Sequence, residues 1–146
     1  MPLRYFVGTW KGTGKGQPGV SQLERDYQSV LNGKFLNVRH KSVCQPQAKN
    51  PKGETHEDWG YFSYDRRRKL YVLRQFHVEG FVTQYASNAV TPGAKTLVFT
   101  SESLENLPAR WSARETYKIL VVSDNTTSDL RIDSQMRFGE SLFACR

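Results

Sequence analysis

The chain is poor in sulfur and histidine, and it has no long apolar run. Its two cysteines, Cys44 and Cys145, form no Cys-x-x-Cys pair, so neither a zinc knuckle nor a dithiol redox motif is present. Free thiols in a reducing compartment are expected. The three histidines, His40, His56 and His77, do not fall in a His-Glu-x-x-His pattern, which excludes the zinc-protease helix. No apolar stretch reaches the roughly 18 residues that a membrane helix needs. The opening MPLRYFVG lacks the apolar core and cleavage site of a signal peptide, so a cytoplasmic protein without membrane association is expected. No stretch sustains a helical period, which disfavours α/β folds.

What remains is short, aromatic and alternating. The 146 residues suit a single domain spanning 1–146. Aromatics make up 12% of the chain, and strand-like runs recur between turn signals. Lys plus Arg outnumber Asp plus Glu by 21 to 14, a net charge of +7. These charges are scattered. The one tight run, Arg66-Arg67-Arg68-Lys69, falls at an expected turn, where charges are ordinarily solvated. Nucleic acid is therefore not the expected partner, although a basic protein admits anionic ligands.

Residues 8–16 read GTWKGTGKG. A spacing of two places Trp10, Gly12, Gly14 and Gly16 on one strand face. That face offers an indole and then bare backbone, suited to bending a barrel wall or to the approach of a flat ligand. Residues 3–7 read as a helical plug before this strand, and Gln17-Pro18-Gly19 as a turn. Val20–Leu31 and Lys34–Cys44 form a hairpin around Asn32-Gly33, the pair favoured in type I′ turns. In the return strand Leu36, Val38, His40, Ser42 and Cys44 share a face.

A polar loop follows at 45–53. Further strands are expected at Glu54–Tyr64, Lys69–His77, Phe81–Ser87, Thr96–Ser101 and Trp111–Val122, with a loop at 104–110. Two short strands, near 129–133 and 135–144, fit the polar end of the chain. Asn125-Thr126-Thr127 matches a glycosylation sequon but reads as a turn. The expected fold is all-β: a single antiparallel up-and-down β-barrel of about eight to ten strands, closed to hide its edges.

Gly8-Thr9-Trp10 resembles the Gly-x-Trp signature of lipocalin-like (calycin) barrels, which include the fatty-acid-binding type. The longer set Gly8, Trp10, Gly12, Gly14 and Gly16 is similar to the opening of nitrobindin-like haem-binding β-barrels and related bacterial proteins. His56-Glu57-Asp58-Trp59-Gly60-Tyr61-Phe62 and His77-Val78-Glu79-Gly80-Phe81-Val82 resemble later segments of that family. The likeness runs in order over residues 3–122. It implies a small barrel, often dimeric, whose cavity holds haem or another apolar molecule. Nitrobindins proper bind ferric haem through a histidine near the C-terminus. This sequence has no histidine after His77, so that ligand has no counterpart here.

The candidate ligand-binding residues are Trp10, Gly12, Gly14, His40, Arg74, His77 and Arg114. Trp10 is read first as a core plug. His40 shares a face with apolar residues and would orient a ligand from a cavity wall. Arg74 and Arg114, if inward, would pair with a carboxylate. His77, at a strand end, is the remaining candidate for haem iron. His56 beside Glu57 and Asp58 reads as a cross-strand ion pair or, less readily, a general-base pair. No catalytic set emerges. The expected function is non-enzymatic binding of a small hydrophobic or carboxylate-bearing molecule. The alternative is a haem redox protein acting on nitric oxide or peroxynitrite.

Overall fold

The structure is a computed structural model. It describes the backbone of residues 2–16, 19–91, 93–121, 128–138 and 141–144. Side chains are described for residues 3–16, 19–91 and 93–119, and for Ile132. The Gln17-Pro18 part of the expected turn, the Asn125-Thr126-Thr127 sequon and Cys145 lie outside the described residues. A 3-10 turn, Pro2–Phe6, leads into ten strands: β1 (Gly8–Gly16), β2 (Gly19–Val30), β3 (Phe35–Cys44), β4 (Glu54–Asp65), β5 (Leu70–His77), β6 (Val82–Ser87), β7 (Thr96–Glu105), β8 (Trp111–Val121), β9 (Ser128–Phe138) and β10 (Ser141–Ala144). Every ladder is antiparallel and each strand pairs with its neighbour in the chain. The sheet curls into a half-barrel. Among the described residues no helix is long and apolar enough to cross a membrane.

Most strand ends fall within a residue of the sequence reading, and two elements differ by more. β7 continues through Leu104 and Glu105 because a bulge at Gln84/Tyr85 lets β6 follow it beyond the expected end. The expected break at residue 134 is absent: β9 pairs with β8 without interruption from Ser128 to Phe138. The closing ladder expected of a full barrel is likewise not found among the described residues, where no pairing joins β1 to β9 or β10. β1 is a poor partner for closure. Glycine alternates along it, which lowers its strand propensity, and Lys11 and Lys15 project from it, as charges do on guarded edges.

The Asn32-Gly33 turn forms as its chemistry demands. Both residues have positive φ, 56° and 74°, as does Leu31 before them at 51°, and the Lys34 N–H donates to the Leu31 carbonyl at 3.3 Å. The core lies on the concave face. Leu3 and Phe6 of the 3-10 turn fill the hollow of the sheet and pack on Tyr27, Leu36, Val38, Phe62, Leu73, Phe99 and Tyr117. Phe62 meets Phe99 and Tyr117 edge-on, with centroids 5.6 and 6.0 Å apart. The interior is thus closely filled by rings near its middle. The convex face carries exposed Trp59, Tyr61 and Phe76, with the Arg39 guanidinium 4.4 Å from the Trp59 ring centroid.

Candidate functional site: a polar row across the concave face

Registers of successive ladders align one residue from each strand. Trp10 pairs with Arg25, Arg25 with His40, His40 with Asp58, and Asp58 with His77. Alternation keeps all five on the concave side. Tyr27 and Val38, then Gly60, Gln75 and Thr83, form the neighbouring row. Gly60 is required there, since a Cβ would stand 2.7 Å from Val38 Cγ1 and 3.2 Å from Leu73 Cδ1.

The row is chemically dense. His40 Nδ1 lies 2.7 Å from Asp58 Oδ2, both residues being buried. His56 Nε2 lies 3.4 Å from the same oxygen, and His56 Nδ1 lies 2.7 Å from Glu79 Oε1. His77 approaches His56 Nε2 through Nδ1 at 3.5 Å and Thr83 Oγ1 through Nε2 at 3.3 Å. Beyond Thr83, the buried Gln75 accepts the threonine hydroxyl at 3.4 Å. Buried Glu115 accepts the Tyr117 hydroxyl at 2.6 Å.

Burial and neighbouring charges divide these groups by protonation. Burial disfavours the Asp58 charge, but hydrogen bonds from His40 and then His56 outweigh it and hold the carboxyl well below the usual range. Burial, helped by the Arg25 charge, pushes His40 down and keeps it neutral against the pull of Asp58. Its Nδ1–H therefore donates to Asp58, and Nε2 carries the lone pair. The Asp58 hydrogen bond raises His56. Burial lowers His77 to about 4. Burial raises the Glu115 carboxyl despite Arg25. Arg25 stays cationic: desolvation is opposed by Tyr27, Tyr117, Glu115 and Asp58 around it.

Several polar atoms in this set are buried without a hydrogen-bond partner: Arg25 Nη1, Tyr27 Oη, His40 Nε2 and Asp58 Oδ1. Arg25 sits beside the Tyr27 hydroxyl, yet neither atom completes a bond of good geometry. Two are donors and two are acceptors in the protonation states above, with the phenol able to serve as either. Leaving such a group unsatisfied costs about 1–3 kcal/mol, more for a charged one. Tyr5 Oη, whose ring lies 5.8 Å from that of Trp10, is orphaned in the same way.

The residues singled out from sequence divide in two. His40 and His77 belong to the row. Trp10 stands at its end, half-buried against the core, and its indole N–H donates to the Phe6 carbonyl at 2.7 Å. Gly12 and Gly14 lie next along β1. An added Cβ at Gly12 would meet nothing within 4 Å, whereas at Gly14 it would stand 2.8 Å from Ser21 Oγ. Arg74 and Arg114 project from the outer face and are exposed. Arg74 there donates to Gln84 Oε1 at 3.1 Å. The inward cation is Arg25, which the reading by sequence passed over, although it shares strand parity with Tyr27. Cys44 is buried, and its sulfur accepts from Gln47 Nε2 at 2.9 Å.

The surroundings of His77 do not fit an iron porphyrin. Its ring stacks on Phe81 at 4.0 Å and 17°, and both nitrogens face protein atoms. Two hollows open away from His77. One, of about 630 Å³, lies among Lys34, Phe35, Tyr64, Arg66, Lys69 and Tyr71. The other, of about 460 Å³, lies among Asp26, Arg39, Glu57 and Trp59 and is also lined by His40. No family model matches the chain, and no curated protein matches it.

Proposed function

We propose that the half-barrel binds a small amphipathic molecule bearing a carboxylate, without catalysing a reaction on it. The observation that carries this reading is the orphaned set of Arg25 Nη1, Tyr27 Oη, His40 Nε2 and Asp58 Oδ1. A carboxylate would accept from Arg25 and Tyr27. A hydroxyl or amine beside it would donate to His40 or Asp58. Apolar parts of the ligand would lie against Trp10 and Tyr5, in the open space over Gly12. The Gly-x-Trp opening, similar to that of calycin and nitrobindin-like barrels, supports the same class of function. Haem chemistry is not part of the proposal, because Phe81 stacked on the His77 ring, with His56 and Thr83 at its edges, crowds the space a porphyrin would occupy.

Native mass spectrometry and calorimetry with fatty acids, 2-hydroxy fatty acids, flavins and haem test the proposal. Carboxylate amphiphiles should be retained and their methyl esters rejected. Arg25→Gln should weaken binding at least about tenfold, the value of a charge-assisted hydrogen bond. Retention of esters and acids alike, or of no member of the panel, would overturn the reading.

A further inference from the structure

Beside the row, at the end where β4 begins and β5 ends, three side chains converge that ligand recognition by Arg25 leaves unused. His56 comes from β4, His77 closes β5, and Glu79 lies in the turn toward β6. One ligating atom from each lies within 4.8 Å of the other two. His56 Nε2 and His77 Nδ1 face each other at 3.5 Å. Adjacent nitrogens around a tetrahedral ion with bonds of about 2.0–2.1 Å stand about 3.4 Å apart. The imidazoles are therefore already spaced as neighbouring ligands.

The tautomers agree with this. Thr83 donates its hydroxyl proton to Gln75, so its oxygen accepts from His77 Nε2–H. That leaves the His77 Nδ1 lone pair aimed at His56. Glu79, on a turn and half exposed, meets His56 Nδ1 at 2.7 Å from the solvent side, and a side-chain rotation would bring its carboxylate toward Nε2. Asp58 Oδ2, 3.4 Å from His56 Nε2, adds a second carboxylate charge next to the same point. A simple hydrogen-bonded bridge through His56 explains Glu79 and Asp58. The His77 lone pair accepts from the same His56 Nε2–H, and a metal ion would take the place of that shared proton.

The geometry points to a divalent first-row metal site formed by His56, His77 and Glu79. Two imidazoles, a carboxylate and no thiolate suit Zn(II), Co(II) or Fe(II) rather than a soft ion. Three protein ligands leave a position open to water or a bound molecule, the pattern of reactive rather than purely structural sites.

Tag-free full-length protein carrying Cys44→Ser and Cys145→Ser removes thiols as competitors. Calorimetric titration with Zn(II), without any organic ligand, should give one ion per chain. Co(II) should give a visible spectrum lacking thiolate charge-transfer bands. His77→Ala and Glu79→Gln should each weaken Zn(II) binding at least about tenfold, while Arg74→Ala, on the opposite face, binds as the parent. Circular dichroism checks that the variants keep their sheet, and Glu79 in its exposed turn is the substitution least able to disturb it. Wild-type affinity in either variant, or no binding at millimolar Zn(II), would overturn the site. The carboxylate-ligand proposal stands or falls separately, because no amphiphile enters this titration.

Discussion

His40 and Asp58 are register partners across β3 and β4, and their side chains meet on the concave face with Nδ1 2.7 Å from Oδ2. Asp58 and the inward cation Arg25 feel each other's charge, and Asp58 also anchors His40. Asp58→Asn should destabilise the fold by about 3–5 kcal/mol, the cost of breaking a buried charge pair from one side. Urea denaturation measures it, and a loss below about 1 kcal/mol would show that the Arg25 charge is compensated elsewhere.

Gly60 is held by its neighbours more than by its own backbone. Gly60→Ala places a methyl 2.7 Å from Val38 Cγ1 and should cost about 1–3 kcal/mol through overpacking. Val38→Ala removes that obstacle. The double variant should therefore be more stable than the sum of the single losses predicts, a coupling that thermal melts of all four proteins would reveal.

Glu115 gives the fold a pH dependence of definite sign. Its folded pKa is raised by burial above the ordinary 4.5. Between those two values the folded state holds a proton that the unfolded state has released. Stability from this group is therefore complete below about pH 4.5 and falls as pH rises through the folded value. Glu115→Gln should flatten that slope. Urea midpoints across the pH range, compared between the two proteins, isolate the contribution; parallel curves would refute it.

Trp10 ties the plug to the first strand through its indole N–H. Trp10→Phe keeps a ring but loses the bond to the Phe6 carbonyl, at a cost of about 0.5–1.5 kcal/mol in denaturant.

Arg74 and Arg114 lie outside the lumen. Replacing either by Ala should change stability by no more than about 0.5 kcal/mol and leave carboxylate binding as it was. Impaired binding by either variant in calorimetry would place the ligand on the convex face instead.

Much of the architecture was legible because alternation and turn chemistry act locally. Parity alone put His40 with Leu36 and Val38, and His56 with Asp58, Gly60 and Phe62, as found. The site was legible only in part. Parity separates two faces of a strand without saying which is inner, so it leaves Arg74 and Arg114 open as inward cations. Arg25 was recoverable. Counting outward from Asn32-Gly33 pairs Val30 with Phe35 and hence Arg25 with His40. Asp58 was not recoverable in this way, because the loop at 45–53 leaves the offset between β3 and β4 open. A ladder between the sheet's first and last strands, not found among the described residues, depends on contacts between distant stretches that no local pattern encodes.

The tight turn at Asn32-Gly33 also divides the chain into lengths that can drift and lengths that cannot. One residue added or lost there would shift β2 against β3 and carry Arg25 and Tyr27 to the outer surface in a single step. The loop at 45–53 and the connection at 88–95 can absorb such changes within their own irregular backbone. Related chains that keep this interior should therefore vary in length at those two loops while holding the β2–β3 connection constant.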